Sequence, residues 1–219
     1  MYQSTLCQEE YLRWMARLCR HYCIEGSITR LTNDRYELSH IKNPDFDEGF
    51  QAWTFEPAES GSITSRNLKG FGMKVQGRHG HAGDHLLCMK RKADKPNIIR
   101  QQIKHLVPGR YYSVTVYSAD HENLHVWQVH QIGLLVRGDI VEDYSQSIHN
   151  AWRHKPDQDF GNRDTFPNYH RIVFRAKTDV AELIISDWHH ANIPTGPVGQ
   201  ELMFNFVQVE PYLIPDDQK

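Results

Sequence analysis

The heptapeptide HGHAGDH places three histidines and one aspartate within residues 79–85. Imidazole nitrogens and carboxylate oxygens are common ligands of zinc and iron. A motif such as HExxH holds its histidines at a fixed helical spacing, whereas His79, His81 and His85 alternate through a glycine-containing segment. The chain has 14 histidines, so clusters arise by chance. We therefore predict a polar loop that precedes the strand HLLCMKRK (85–92), not a zinc or iron site.

Composition and charge argue against two classes of partner. The chain has 219 residues, of which 39% are apolar and 24% charged, with a formal net charge of -2. A general nucleic-acid binder needs a basic face, so we expect no nucleic-acid partner. No apolar run reaches about 18 residues, so we expect no membrane partner. The N-terminus lacks the pattern of a signal peptide, and a secreted or periplasmic location within a larger protein stays open. Four cysteines are too few for a disulfide scaffold here, which predicts free thiols.

The first segment of the chain has a helical pattern. In EEYLRWMARLCRHYCIEG, apolar side chains such as Tyr11, Trp14 and Leu18 recur every three or four residues. Gly26 is a natural helix stop. We predict an N-terminal α-helix and linker over 1–42. The helix either packs on the following domain or is the tail of a preceding one.

After residue 43 the periodicity changes to two, which is typical of half-buried antiparallel strands. The alternation is clearest in Tyr112, Val114 and Val116. About eight or nine such strands without intervening helices predict an all-β fold over 43–219, a jelly-roll β-sandwich. The candidate strands are SITSRNL (62–68), GMKVQG (72–77), HLLCMKRK (85–92), NIIRQQIKHL (97–106), RYYSVTVYSA (110–119), HVWQVHQIGLLVRG (125–138), HRIVFRAKT (170–178), AELIISDW (181–188) and ELMFNFVQVEPYL (201–213).

Four stretches, in order, resemble the galactose-binding-like β-sandwich carbohydrate-binding modules. NPDFDEGFQAWTFEP (43–57) resembles the family's opening motif, and NIIRQQIKHLVPGRYYSVTVYSAD (97–120) its central strand pair with a PG turn. HRIVFRAKTDVAELIISDW (170–188) resembles the next strand pair, and ELMFNFVQVEPY (201–212) the closing strand. The resemblance implies the C-terminal module of a multidomain bacterial glycoside hydrolase.

The same resemblance implies a structural calcium ion. Family members often hold calcium between the opening acidic motif, a carbonyl-rich loop before an early strand, and an aspartate on the last strand. The matching positions here are Asp45, Asp47, Gly83, Asp84 and Asn205. Asn205 departs from the pattern, because asparagine supplies one neutral oxygen where the family has a charge. The alternative is that Asp45 and Asp47 simply cap a turn.

Carbohydrate recognition combines aromatic faces, which stack on apolar C–H patches, with planar polar side chains that bind hydroxyls. Trp152 and Trp188 lie at loop or strand ends and are the main candidates, supported by nearby polar side chains, whereas Trp53 is assigned to packing. Trp127 alternates with Val126 and Val129 in a predicted strand. For each candidate, packing is the alternative to ligand contact. The complete candidate set is Trp152, Trp188, Arg153, His154, His189, Tyr117 and Trp127, with Asp187 beside Trp188.

No catalytic residue is predicted. A glycosidase needs two carboxylates across a cleft and a nucleophilic hydrolase a triad, and the chain has no GxSxG signature. Asp139, Glu142 and Asp143 fall in a long loop, where charged residues are usually solvated. We therefore predict a non-catalytic module that binds a glycan or glycoside and works beside a linked catalytic domain. The alternatives are a structural or protein-interaction domain and, less favoured, a polysaccharide lyase that uses Tyr, His and Arg.

Overall fold

Two antiparallel sheets make up the described part of the chain, residues 40–76, 82–138, 140–141, 148–151 and 163–212 of a computed structural model. The small sheet has the order β1 (Thr54–Glu56), β4 (Ile98–Ile103), β10 (Ala181–Ser186), β6 (Gly133–Arg137). The large sheet has the order β2 (Ile63–Asn67), β3 (His85–Lys90), β11 (Glu201–Pro211), β5 (Tyr111–Asp120), β9 (Asn168–Ala176), with β7 (Ile140–Val141) and β8 (Ile148–Ala151) both paired to β9. The predicted all-β fold is confirmed.

The connections between strands are those of a jelly roll. From β3 to β6, and again from β9 to β11, successive strands alternate between the two sheets. The described residues form eleven strands instead of the expected eight or nine. The sequence did not predict β1, β7 and β8, because strands this short show no clear alternation. None of the helices in the described part of the chain is both long and apolar enough to cross a membrane.

One apolar core lies between the sheets and follows the alternation seen in the sequence. Val114 and Val116 of β5 pack in the same cluster as Leu183 and Ile185 of β10. Trp53 is buried there too, against Phe46, as predicted. The core therefore joins the inward face of each sheet, and side chains at odd positions of β5 point to the opposite side.

A second apolar cluster covers part of the outer face of the large sheet. The helix α1 (Phe71–Gln76) packs Phe71 and Val75 over this face, together with Tyr117 and Phe206. The sequence GMKVQG was predicted as a strand, which is wrong: Val75 and the preceding Phe71 are four apart and form one face of a helical turn. Only glycine fits at position 72, because a Cβ on Gly72 would lie 2.0 Å from the Ala82 carbonyl oxygen.

The predicted strand HVWQVHQIGLLVRG (125–138) is also only partly correct. β6 begins at Gly133, and residues 121–132 form the β5–β6 loop. Residues 125–132 do not pair with any described strand. Their side chains Val126, Trp127 and Val129 are exposed. Alternation alone cannot distinguish a strand from a loop that presents apolar side chains to solvent.

The start of the chain lies largely outside the described residues. The predicted N-terminal helix falls there. Residues 40–42 were assigned to the linker, yet Ile41 packs in the main core and His40 Nδ1 lies 2.8 Å from the Lys104 carbonyl oxygen. The compact unit that contains the sandwich begins at His40.

A comparison of two glycines distinguishes the energetic cost of backbone strain from the cost of steric overlap with the second apolar cluster. Gly83 (φ +78°) and Gly61 (φ +79°) share one backbone conformation, but a Cβ would meet the Phe206 ring at 2.5 Å only at Gly83. We expect Gly61→Ala to lower the free energy of unfolding by about 1–2 kcal/mol through strain. Gly83→Ala should cost roughly 1–3 kcal/mol more, because Phe206 is wedged between Phe71 and Tyr117. Urea denaturation measures both, and equal losses would contradict this packing.

Candidate functional site

The predicted carbohydrate-binding residues are dispersed. Trp127 is 65% exposed on the β5–β6 loop, whereas Trp188 is 3% and Tyr117 7% exposed. Trp188 and Tyr117 are therefore packing residues in this structure, and neither offers a ring face to a ligand. His189 is partly buried, with Nδ1 3.0 Å from the Ile132 carbonyl oxygen. The remaining candidates, Trp152, Arg153 and His154, lie outside the described residues.

A cleft of about 700 Å³ lies at one end of the sandwich, between the β5–β6 loop (121–132) and the β10–β11 loop (187–200). We call it the end cleft. Its described lining is rich in amides and carboxylates, with Val129 and Val198 as exposed apolar positions on the two facing loops. The lining residues are Asp120, Glu122, Asn123, Gln128, Val129, His130, Gln131, Thr195, Gly196, Pro197, Val198, Gly199, Gln200 and Glu201.

Asp120 ends β5 and anchors both walls of the end cleft. Its Oδ1 accepts hydrogen bonds from the backbone N–H groups of Glu122 and Asn123, both at 3.0 Å. Its Oδ2 accepts a 2.7 Å bond from Gln200 Nε2 across the cleft. Burial opposes ionisation of this carboxyl, but the bonds from Gln200 and Asn123 outweigh it and hold its pKa below the ordinary value. Asp120 is thus an ionised acceptor at neutral pH.

Arg91 lies beneath the end cleft with no exposed surface. Its Nε and Nη2 donate to the Asp187 carbonyl oxygen at 3.0 and 2.6 Å, and Nη1 donates to Gln200 Oε1. Nη2 is also 3.4 Å from the Gln131 carbonyl oxygen. Burial lowers the pKa of Arg91, although the nearby Asp187 and Asp120 oppose that shift. One guanidinium thus connects the two loops that form the cleft walls.

Asp187 follows β10 and was placed by sequence among the ligand-facing residues. It is fully buried instead, and its carboxylate accepts bonds from Asn97 N at 2.8 Å and Asn97 Nδ2 at 2.7 Å. Burial raises the pKa of Asp187, and the bonds from Asn97 partly offset it. The Asn97 amide oxygen also accepts from Ala58 N and Ser62 Oγ, so Asp187 and Asn97 tie three segments together. Their role is structural.

A serine and two histidines meet below the cleft wall. Ser118 Oγ lies 2.7 Å from His130 Nε2 and 2.6 Å from His170 Nε2. The serine is 2% exposed and its hydroxyl is shared between two imidazoles, so it joins β5, the β5–β6 loop and β9. A nucleophilic serine instead needs one base and an open approach for the substrate. This cluster supports the cleft wall.

Four of the five predicted calcium ligands, all except Asp45, come together, but the chemical groups that they direct at one another do not fit calcium. Asp47 accepts a bond from Gly83 N at 3.1 Å, and Asp84 Oδ1 accepts one from Gly72 N at 3.1 Å. Asn205 Nδ2 donates to the Gly83 and His85 carbonyl oxygens, each at 2.8 Å. Calcium needs an oxygen from this side chain, and the nitrogen faces the site.

Other metal sites are not evident in the part of the chain that the structure describes. Within it, no group of three or more His, Cys, Asp or Glu side chains is arranged to hold a metal ion. His85 lies at the start of β3, with Nδ1 3.4 Å from Asp47 Oδ1, whereas His79 and His81 lie outside the described residues. Asp45 is buried in the turn that precedes Asp47.

The outer face of the large sheet carries a second group of aromatic and charged residues, which sequence reasoning missed except for Tyr117. The Arg171 guanidinium lies over the Tyr212 ring at 5.7 Å, and that of Arg175 over Tyr111 at 5.8 Å. The available signal in the sequence was the spacing of Arg171 and Arg175, which places both arginines on the same face of β9. Because guanidinium groups already cover one face of Tyr212 and of Tyr111, these rings are less open for stacking than Trp127.

Comparison with known proteins finds structural relatives only. No protein-family model and no curated protein matches the chain. TmCBM61, solved in complex with beta-1,4-galactotriose, aligns with 11% identity and a TM-score of 0.43 over 80% of this chain and 100% of its own. The enzymatically active domain of tailspike protein 4 from bacteriophage CBA120 aligns with 13% identity and a TM-score of 0.45, over 79% and 21%.

A third structure is TmCBM27, a carbohydrate-binding module studied for specific mannan recognition. It aligns with 10% identity and a TM-score of 0.38, over 78% of this chain and 94% of its own. At these identities and TM-scores, the similarities carry no argument about a ligand. The functional case therefore depends on the residues of the end cleft.

Arg91 and its neighbour Lys92 give a matched pair of variants. Arg91→Met should lower the free energy of unfolding by roughly 3–5 kcal/mol, because it leaves buried acceptors without a donor. Lys92→Met removes only a surface ion pair with Glu59, which we expect to cost less than about 1 kcal/mol. Urea denaturation provides both values. A loss for Arg91→Met as small as that for Lys92→Met would show that the guanidinium does not hold the loops.

Proposed function

We propose that this chain is a non-catalytic carbohydrate-binding domain that binds glycans at the end cleft. The observation that carries the proposal is Trp127, an indole 65% exposed on the β5–β6 loop, directly before Gln128 and Val129, which line the end cleft although Trp127 itself does not. Exposing so large an aromatic surface to water is unfavourable unless a ligand or partner covers it.

The chemistry of the cleft suits a sugar ring. A pyranose has apolar C–H faces, which stack on an indole, and equatorial hydroxyls, which need planar acceptors and donors. Asp120 and Gln200 already hold each other in fixed geometry, so they lose little conformational entropy when a hydroxyl binds. Val129 and Val198 supply apolar contact from the facing loops.

The charge of the cleft favours neutral glycans. Asp120, Glu122 and Glu201 line it, and no lysine or arginine does among the described residues. Arg66 pairs with Glu201 at 2.6 Å and so offsets one of these charges. A uronate or sulfated sugar would bring a negative charge toward the remaining carboxylates, which opposes binding.

Within a larger glycan-active protein, such a domain would raise the local concentration of a linked catalytic domain on its substrate. The second candidate is a protein-interaction domain, favoured by the exposed Val126 and Ile193 near the same loops. Tight association with a neighbouring domain, together with no glycan binding on an array, would support that candidate instead.

Removing the Trp127 indole should weaken glycan binding. We expect Trp127→Ala to reduce affinity for the best neutral oligosaccharide on a glycan array at least about tenfold, because a stacking surface is lost. Phe55→Ala is the matched control: Phe55 is 45% exposed on β1 of the small sheet, outside both loops that form the cleft walls. Isothermal titration calorimetry measures both variants. Equal affinity of Trp127→Ala and the native chain would contradict this site.

Charge selection can be measured with paired ligands. A neutral oligosaccharide should bind more tightly than its uronate counterpart, and the difference in affinity between the two ligands should narrow at high salt. Two unit charges 5 Å apart in water repel by about 0.8 kcal/mol, or roughly fourfold in affinity. Glu122→Gln should therefore improve uronate binding by about that factor and leave neutral binding nearly unchanged. Tighter binding of the uronate than of the neutral oligosaccharide by the native chain would contradict the proposal that glycans bind in the acidic end cleft.

A further inference from the structure

Asn205 lies in β11, directly before an irregularity between Asn205 and Gln208 where the register with β5 shifts. Its side chain is 1% exposed. The next residue, Phe206, has φ 52°, and Val207 N donates to the Pro44 carbonyl oxygen at 3.0 Å. This part of β11 therefore joins the turn around Asp45 to the segment that leads into β3.

The hydrogen bonds of Asn205 fix the orientation of its amide. Phe206 N donates to Asn205 Oδ1 at 2.6 Å, so the oxygen faces a donor. The nitrogen then faces two acceptors, the carbonyl oxygens of Gly83 and His85, at 2.8 Å each. The opposite orientation would place three acceptors together and leave two donors facing each other, which is unfavourable in a buried site.

An aspartate at this position would reverse that balance. Its second carboxylate oxygen would face both carbonyl oxygens, with no hydrogen between any of them. Such a cluster of oxygens repels unless a cation binds between them, and carboxylate and carbonyl oxygens are the type of ligand that calcium prefers. The asparagine N–H₂ group supplies two partial positive charges at the same place.

The carboxylates of Asp47 and Asp84 are already directed at backbone donors. Both oxygens of Asp47 lie within 3.2 Å of Gly83 N, and Asp84 Oδ1 lies 3.1 Å from Gly72 N. The backbone at Gly83 is therefore held at its N–H by Asp47 and at its carbonyl by Asn205. These contacts hold the Gly83 backbone on both sides from within the chain.

We infer that the Asn205 amide replaces a structural calcium ion, so that this chain folds independently of calcium, and that Asn205→Asp would convert the same site into a calcium-dependent one. The inference concerns the stability of the sandwich and is independent of glycan binding at the end cleft.

Thermal unfolding of the full chain tests both parts. The Tm of the native chain should be the same in excess chelator and in millimolar calcium, with sodium chloride matching the ionic strength. Asn205→Asp should melt roughly 5–10 °C lower in chelator and recover most of that loss in calcium, because binding to the folded state stabilises it. Asn205→Ala, the matched control, loses the same bonds without gaining a charge, so its lowered Tm should not recover.

Two results would overturn the inference. A native chain that loses Tm in chelator, or that binds calcium with measurable heat by calorimetry, uses a cation after all. An Asn205→Asp variant whose Tm does not respond to calcium lacks the proposed site. If that variant does not fold, the measurements on the native chain still decide the first part.

Discussion

The buried guanidinium of Arg91 is the interaction on which the end cleft depends. It is fully removed from water, so its charge must be met by acceptors within the protein. Those acceptors come from the β5–β6 loop through Gln131 and from the β10–β11 loop through Asp187 and Gln200. The fit is close at Gly196, where a Cβ would lie 1.9 Å from Arg91 Nη1. Two loops without regular structure are thereby fixed relative to the sheets, and a binding surface on them is preorganised.

The strand β11 links this end of the molecule to the Asn205 site. At its start, Glu201 and the preceding Gln200 contribute to the end cleft, and four residues later Asn205 holds the segment before β3. The two sites use different means for the same purpose. Arg91 organises carbonyl oxygens with a full charge, and Asn205 does so with a neutral amide. Both leave few polar groups of the backbone without partners, as buried loops require.

Periodicity predicted those parts of the fold in which one face of a strand is buried. Val114 and Val116 of β5, and Leu183 and Ile185 of β10, point into the core as their alternation indicated. The segment around Phe71 was misassigned because Phe71, Met73 and Val75 alternate as in a strand, while Phe71 and Val75 also share one face of a helical turn. The outward faces were harder still: Tyr117 alternates like a solvent-facing residue, yet α1 and Phe206 cover it, and only the tertiary structure supplies that cover.

The residues of the proposed glycan site were predictable by type and only partly by position. Trp127 was among the candidates, although in a strand instead of a loop. Trp188 was a candidate for ligand contact with packing as the alternative, and it is buried, because a tryptophan at a strand end can equally close the core. Arg91, Asp120 and Gln200 carry no local motif: they are distant in sequence, and the cleft exists only where two loops converge. The calcium pattern predicted a ligand set that includes Asn205, whose amide nitrogen donates hydrogen bonds to the Gly83 and His85 carbonyl oxygens.

Nuclear magnetic resonance of the indole N–H groups tests the central claim, that Trp127 and the end cleft bind a glycan, most directly. The Trp127 signal can be assigned with Trp127→Phe and followed while a neutral oligosaccharide is added to the native chain. Our account predicts a saturable shift of this signal, with little change for Trp53 and Trp188, which are buried. Saturable binding that leaves Trp127 unshifted, and instead shifts amides of β9 such as Arg171, would place the ligand on the outer sheet face and contradict the account.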